Sequence, residues 1–190
     1  FWSNGEGYTN KKRSMLYIYN INSKEIRKIT DEFSNVIYYA LNSDKNHIVF
    51  ITSSFIDKMS AYTNLNIYSI DQNKYEKIMP LEKCNYSYCD FLNDNVVFIG
   101  SDMRLHGLNQ NPNIYITDHT GNFVKKISNC DYSIANSIGS DCTYGDTRNI
   151  KVDGNFLYYI STEKSNSFIY QIDINGNTKR LTPPHGSVND

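Results

Sequence analysis

The sequence predicts an all-β fold: a partial β-propeller of about three complete four-stranded antiparallel blades plus a half blade. Three observations predict it. The first is an echo. Leu16-Tyr17-Ile18-Tyr19-Asn20 returns as Asn66-Ile67-Tyr68-Ser69-Ile70-Asp71, as Asn113-Ile114-Tyr115-Ile116-Thr117-Asp118 and as Phe168-Ile169-Tyr170-Gln171-Ile172-Asp173, and aligning Tyr17, Tyr68, Tyr115 and Tyr170 gives steps of 51, 47 and 55 residues. The second is a shared ending, basic-apolar-small in most copies: Lys28-Ile29-Thr30, Lys77-Ile78-Met79, Lys126-Ile127-Ser128 and Arg180-Leu181-Thr182. The third is composition: 16 Tyr and 9 Phe favour strands, because large rings pack well on a pleated surface.

The elements follow in order. Residues 1–30 read as a partial blade: Phe1-Trp2-Ser3 matches the end of a second strand, and a loop then leads to a third and a fourth. In the blade at 31–79 the strands are expected at 35–41, 47–53, 65–71 and 75–79; in the blade at 80–128, at 86–92, 95–101, 113–118 and 123–128. In the blade at 129–182 they are expected at 147–152, 156–162, 168–173 and 178–182, and 183–190 begins the next connection. Each is rich in apolar or β-branched residues and bounded by Asn, Asp, Gly and Ser. The second strands, His47-Ile48-Val49-Phe50-Ile51-Thr52-Ser53 and its counterparts at 95–101 and 156–162, are near-continuous apolar runs. Such runs suit strands buried on both faces between neighbouring sheets.

The connections are of two kinds. Asn42 to Asn46, Asn93-Asp94, Asp153-Gly154-Asn155, Gly121-Asn122 and Asn175-Gly176-Asn177 are short hairpin links, with Asn and Gly suited to the positive φ of primed turns. Residues 54–64, 102–112 and 129–146 form long links, expected together on the opposite, decorated face, where binding loops usually lie. The sequence reads as a piece of a larger protein. Apolar rows at its end blades, Tyr17 and Tyr19 or Phe168, Tyr170 and Ile172, are expected to face solvent and to favour self-association.

A net charge of −1 with no basic block gives no footprint for nucleic acid and no polybasic membrane anchor. No apolar run approaches the ~20 residues that span a bilayer, and no signal peptide opens the chain; the expected location is cytoplasmic. Cys84, Cys89, Cys130 and Cys142 match no zinc or redox spacing and are expected as reduced structural thiols, with a disulfide or a metal as alternatives. His47, His106, His119 and His185 fall in different repeats without ligand spacing, and no metal or cofactor is expected. There is no Gly-x-Ser-x-Gly elbow, no phosphate-binding Gly-x-x-x-x-Gly-Lys and no His-Glu-x-x-His. No catalytic residue is therefore assigned. The candidate substrate-contact residues are Asp102 and Arg104 in one long loop and Asp141 and Asp146 in another. The competing reading is turn-forming Asx residues and an exposed ion pair of little energetic weight, the commoner role for such groups.

Ser101-Asp102-Met103-Arg104, followed by Asn111-Pro112-Asn113-Ile114-Tyr115-Ile116-Thr117-Asp118, resembles the propeller of acylaminoacyl-peptidase-like enzymes of the prolyl oligopeptidase family. Asn136-Ser137-Ile138-Gly139-Ser140-Asp141 and Tyr144-Gly145, ahead of Lys179-Arg180-Leu181-Thr182, resemble the blade that follows. The resemblance implies a propeller that filters peptide substrates for an α/β-hydrolase serine peptidase domain lying outside this chain. Its implied partners are that domain and the peptides it cleaves. The other function class is a non-enzymatic propeller used for binding or as a scaffold.

Overall fold

The structure, a computed structural model, describes residues 12–54, 56, 60–78, 80–128, 131–137 and 149–188. Fourteen strands account for the regular structure: β1 (Tyr17–Tyr19), β2 (Ile26–Lys28), β3 (Ser34–Leu41), β4 (His47–Ser54), β5 (Asn64–Ser69), β6 (Lys74–Ile78), β7 (Asn85–Leu92), β8 (Asn95–Ser101), β9 (Asn113–Thr117), β10 (Val124–Lys126), β11 (Ile150–Asp153), β12 (Phe156–Glu163), β13 (Asn166–Asp173) and β14 (Thr178–Arg180). They form a two-stranded sheet, β1-β2, and three four-stranded sheets, β3-β4-β5-β6, β7-β8-β9-β10 and β11-β12-β13-β14, each an antiparallel meander. The chain is a partial β-propeller of three blades and a half. Among the described residues a single 3-10 turn, Gly107–Asn109, interrupts the strands, and no helix is long and apolar enough to cross a membrane.

The sheets are held face to face by their second strands. In β4, Ile48 and Phe50 pack with Leu16 and Tyr68 against the half blade, while Val49 and Ile51 join Tyr86, Cys89, Val96 and Phe98 of the next sheet. In β8, Val96 and Phe98 turn back to that layer, while Val97 and Ile99 meet Leu157, Tyr159 and Ile172. Side chains alternate across a strand, so an uninterrupted apolar run supplies two interfaces at once. Burial of one such side chain contributes ~1.5–3 kcal/mol.

The basic-apolar-small ending has a structural cause. Its hydroxyl accepts a hydrogen bond from the backbone N–H at the head of the third strand: Leu16 N to Thr30 Oγ1 at 3.1 Å, Ile114 N to Ser128 Oγ at 2.9 Å and Ile169 N to Thr182 Oγ1 at 3.2 Å. The carbonyl of the same strand residue accepts from the apolar residue of the motif, Ile29, Ile127 or Leu181, at 2.9 Å each time. The side chain thus prolongs each outer ladder by one hydrogen bond, beyond the last paired residue. This accounts for regular pairing in β10 ending at Lys126, short of the predicted 128.

Other repeat features are also physical. β3 and β7 carry a bulge at the same place, between Val36 and Tyr38 and between Tyr86 and Tyr88. The Asx residue closing three of the four echoes organises its hairpin. Asn20 Oδ1 accepts from the backbone of Asn22 and Ser23, Asp118 Oδ1 from Thr120 and Asn122, and Asp173 Oδ1 from Asn175 and Asn177. The primed turn read at Asn93-Asp94 has φ of 48° and 59°.

One expectation is corrected. Tyr17 and Tyr19 are half exposed, but Phe168 and Ile172 are buried. The register of β13 turns that row inward: Ile172 lies in the core formed with Ile116 and Ile127, and the guanidinium of Arg180 covers the Phe168 ring at 4.9 Å. Residues 131–137 run along the end of β12, through a bridge between Ser133 and Thr162 and a hydrogen bond from Ser161 Oγ to the Ser133 carbonyl at 2.9 Å, and Ile134 enters the core shared with the preceding blade.

Two stability experiments follow. Ser128→Ala leaves the buried Ile114 N–H without its acceptor and should cost roughly 1–3 kcal/mol in denaturant unfolding. Gly100→Ala should cost a similar ~1–3 kcal/mol. A Cβ there would stand 2.5 Å from Cys84 Sγ and 3.2 Å from the Asn85 carbonyl, so the core must shift. Wild-type midpoints in either variant would contradict these roles.

Acid should also weaken the fold. Asp118 is held below the ordinary carboxylate range chiefly by the Thr120 side chain, and Asp173 chiefly by that of Asn177. A depressed folded-state pKa gives stability that is present above the unfolded value and lost as pH falls through the folded one. The melting temperature is therefore expected to drop as pH goes below about 4. An Asp118→Ala, Asp173→Ala double variant should show a shallower drop, and an unchanged slope would refute the assignment.

Candidate functional site

Strand direction places the β4–β5 and β8–β9 connections on one side, with the 131–137 strap. Asn111 Nδ2 donates to Asp131 Oδ1 at 3.0 Å, tying two of the long loops together. On this decorated side Asp102 is engaged locally. Its Oδ1 accepts from Gln110 Nε2 at 2.7 Å and from the Arg104 N–H at 3.3 Å, closing the loop across Met103, whose φ is 54°. The Gln110 amide is the main reason its carboxyl is held below the usual range. Arg104 stands 3.8 Å from Asp102 and 4.0 Å from Glu82, with two thirds of its side chain exposed (67%). Exposed pairs at such distances are energetically slight. Asp102 thus shapes the loop and Arg104 projects from it, beside the exposed Leu105 and Leu108. Asp141 and Asp146 lie outside the described residues, as do Cys130 and Cys142.

Cys84 and Cys89 are free and buried. Desolvation pushes the Cys84 thiol up to about 12, with Asp102 adding to the effect, and raises Cys89 as well. Neither thiol is poised as a nucleophile.

The opposite, hairpin side holds a cavity of about 580 Å³, lined by Leu41, Asn42 and Ser43 from the β3–β4 corner, Asp90, Phe91, Asn93, Asp94 and His119 from the next sheet, and Val152 and Gly154 from the last. It sits where the ends of β3, β7 and β11, the first strands of the three blades, converge. Asn42 fixes its corner by accepting from the Asn46 and His47 backbone at 3.0 and 2.9 Å. His119 lies between rings, its centroid 5.0 Å from His47 and 5.7 Å from Phe91. Its Nε2 is shielded from solvent and has no hydrogen-bond partner. Asp90 Oδ2 accepts from Tyr88 Oη at 2.9 Å and Oδ1 from the Phe91 N–H at 2.8 Å. Desolvation nevertheless raises its pKa. Among the described residues no group of three His, Cys, Asp or Glu is arranged to hold a metal.

Sequence reasoning found the decorated face and missed this cavity. Its residues come from three repeats and have no common motif. The one signal was the repeated register of first-strand ends, which brings Leu41, Phe91 and Val152 to equivalent positions, opposite Ile48, Val96 and Leu157.

No protein-family model matches the sequence, and no curated protein matches it. Solved structures do. The chain is similar to the Pyrococcus horikoshii acylaminoacyl peptidase, with a TM-score of 0.58 at 16% identity over 88% of this chain and 24% of that one. It is similar to the β-propeller domain of the trilobed protease from Pyrococcus furiosus, with a TM-score of 0.56 at 20% identity over 88% of this chain and 42% of that one. It is also similar to TolB from Acinetobacter baumannii, with a TM-score of 0.52 at 16% identity over 90% of this chain and 38% of that one. The chain therefore spans less than half the length of each, and what they share with it is the fold: blades of a β-propeller.

Proposed function

We propose that this chain is the non-catalytic propeller segment of a serine peptidase of the prolyl oligopeptidase family, gating peptide substrates for an α/β-hydrolase domain. The observation that carries the reading is the likeness to acylaminoacyl peptidase over 88% of this chain but only 24% of that enzyme. The sequence agrees with it, having no nucleophile elbow of its own. The edges of the first strands also suit a filter. Ile37, Tyr39 and Leu41 stay exposed along β3, offering apolar and aromatic surface to a passing unstructured chain. On the decorated side, Arg104 is the group available to meet a substrate carboxylate or carbonyl, on a loop shaped by Asp102. The proposed location is the cytoplasm.

A second reading is a binding module without catalysis: the likeness to TolB covers 90% of this chain, as much as the likeness to the peptidases, and the chain carries no nucleophile elbow. A fluorophosphonate probe separates the two. In the peptidase reading the isolated chain stays unlabelled and cleaves no acyl-peptide substrate, while the full-length protein is labelled at a serine outside these 190 residues. Labelling within this chain would overturn the reading, and so would a full-length protein that takes no label.

A further inference from the structure

The cavity on the hairpin side has a composition the filtering role does not use. Two carboxylates line it, Asp90 and Asp94, and no Lys or Arg does. Asp90 forms no ion pair among the described residues; its contacts are the neutral Tyr88 hydroxyl and the Phe91 backbone. A half-buried carboxylate without a counter-charge is costly. A cation brought beside it recovers part of that cost.

We infer that this cavity binds an organic ammonium group, with Asp90 as its counter-charge, Asp94 at the rim, and Leu41, Phe91 and Val152 as the apolar wall for the carbon body that carries it. An anion is disfavoured by the two carboxylates. A bare metal ion lacks a ligand set, because no three ligating side chains converge among the described residues. A cavity of about 580 Å³ is also in the range that holds a small organic group rather than one ion. Asn93 adds a side-chain carbonyl of the kind that can accept from an N–H donor. The raised pKa of Asp90 accords with a carboxylate starved of solvent and charge. The ammonium has two sources in a peptide, the α-amino terminus and a lysine side chain, and the chemistry is shared. The inference stands whether or not a hydrolase domain adjoins the propeller.

The test is a titration of the isotopically labelled chain, followed by backbone amide NMR, with three probes: Phe-Ala amide, N-acetyl-Phe-Ala amide and N-acetyl-lysine methylamide. Saturable shifts confined to residues 41–43, 90–94 and 152–154 are expected with the first or the third probe, at millimolar affinity or tighter. Response to the first alone identifies an α-amino site, and response to the third a lysine site. Asp90→Asn should weaken binding at least tenfold. Ser43→Lys, on an exposed hairpin, should abolish it by tethering a competing ammonium at the rim without touching the Asp90 hydrogen bonds. Equal binding of the acetylated dipeptide would overturn the inference. So would the absence of saturable shifts with either amine, or affinity retained in Ser43→Lys.

Discussion

The structure depends on one constraint: each second strand must be apolar on both faces. β4 and β8 are buried along almost their whole length because each is sandwiched between two other sheets. A strand with one polar face would close one interface and open the other. The run Ile48-Val49-Phe50-Ile51 therefore determines more than a strand. It sends alternate side chains to two different cores, and the blades stack in sequence order as a result. β12 shows the same rule relaxed. Tyr158 is only half-buried, and among the described residues no further sheet packs on the side of β12 away from the preceding blade.

Within each blade the fold is encoded locally, and that part was legible. The echo marks the third strand, its closing Asn or Asp ties the following turn in three of the four copies, and the small hydroxyl two residues past the basic one closes the outer ladder. These are contacts between residues near in sequence, so repetition in sequence becomes repetition in structure. Met79 stands where the other copies carry Thr or Ser, so the blade at 31–79 has no such hydroxyl. Its third strand is anchored by other means. The buried Asn66 side chain donates to the Phe50 carbonyl at 3.3 Å and to Thr52 Oγ1 at 3.1 Å, and accepts from Tyr75 Oη at 2.9 Å. This network was not legible, because the strand pattern places Asn66 in the third strand without showing its partners on β4 and β6.

What lies between blades was harder to read. Phe168, Tyr170 and Ile172 share a face in any register, but which neighbour that face meets depends on how one sheet rotates over the next. The sequence pattern is the same for an inward and an outward row. The same limit hid the meeting of His47 with His119, 72 positions apart in sequence (119 − 47) and 5.0 Å apart in space. Each imidazole alone is a hairpin residue. Together with Phe91 they form an aromatic wall against which one imidazole nitrogen is left unsatisfied.

The two sides of the molecule thus divide the work by the way they are built. The decorated side consists of long connections that carry their own internal bonds, as Asp102, Gln110 and Arg104 do, and loops of this kind can change without disturbing the blades. The hairpin side has no such freedom. Its turns are two to six residues long, several with φ fixed in the left-handed region, and they hold the ends of β3, β7 and β11 in register. A polar group placed there is presented by rigid elements rather than by a loop, and rigid presentation is what selective recognition requires. Asp90 satisfies that condition. It is set on a strand, oriented by the hydroxyl of Tyr88 two residues earlier and by the adjacent backbone N–H, and deprived of water by packing that the double-faced strands impose. The same burial that holds the blades together therefore leaves a carboxylate in need of a partner at their convergence.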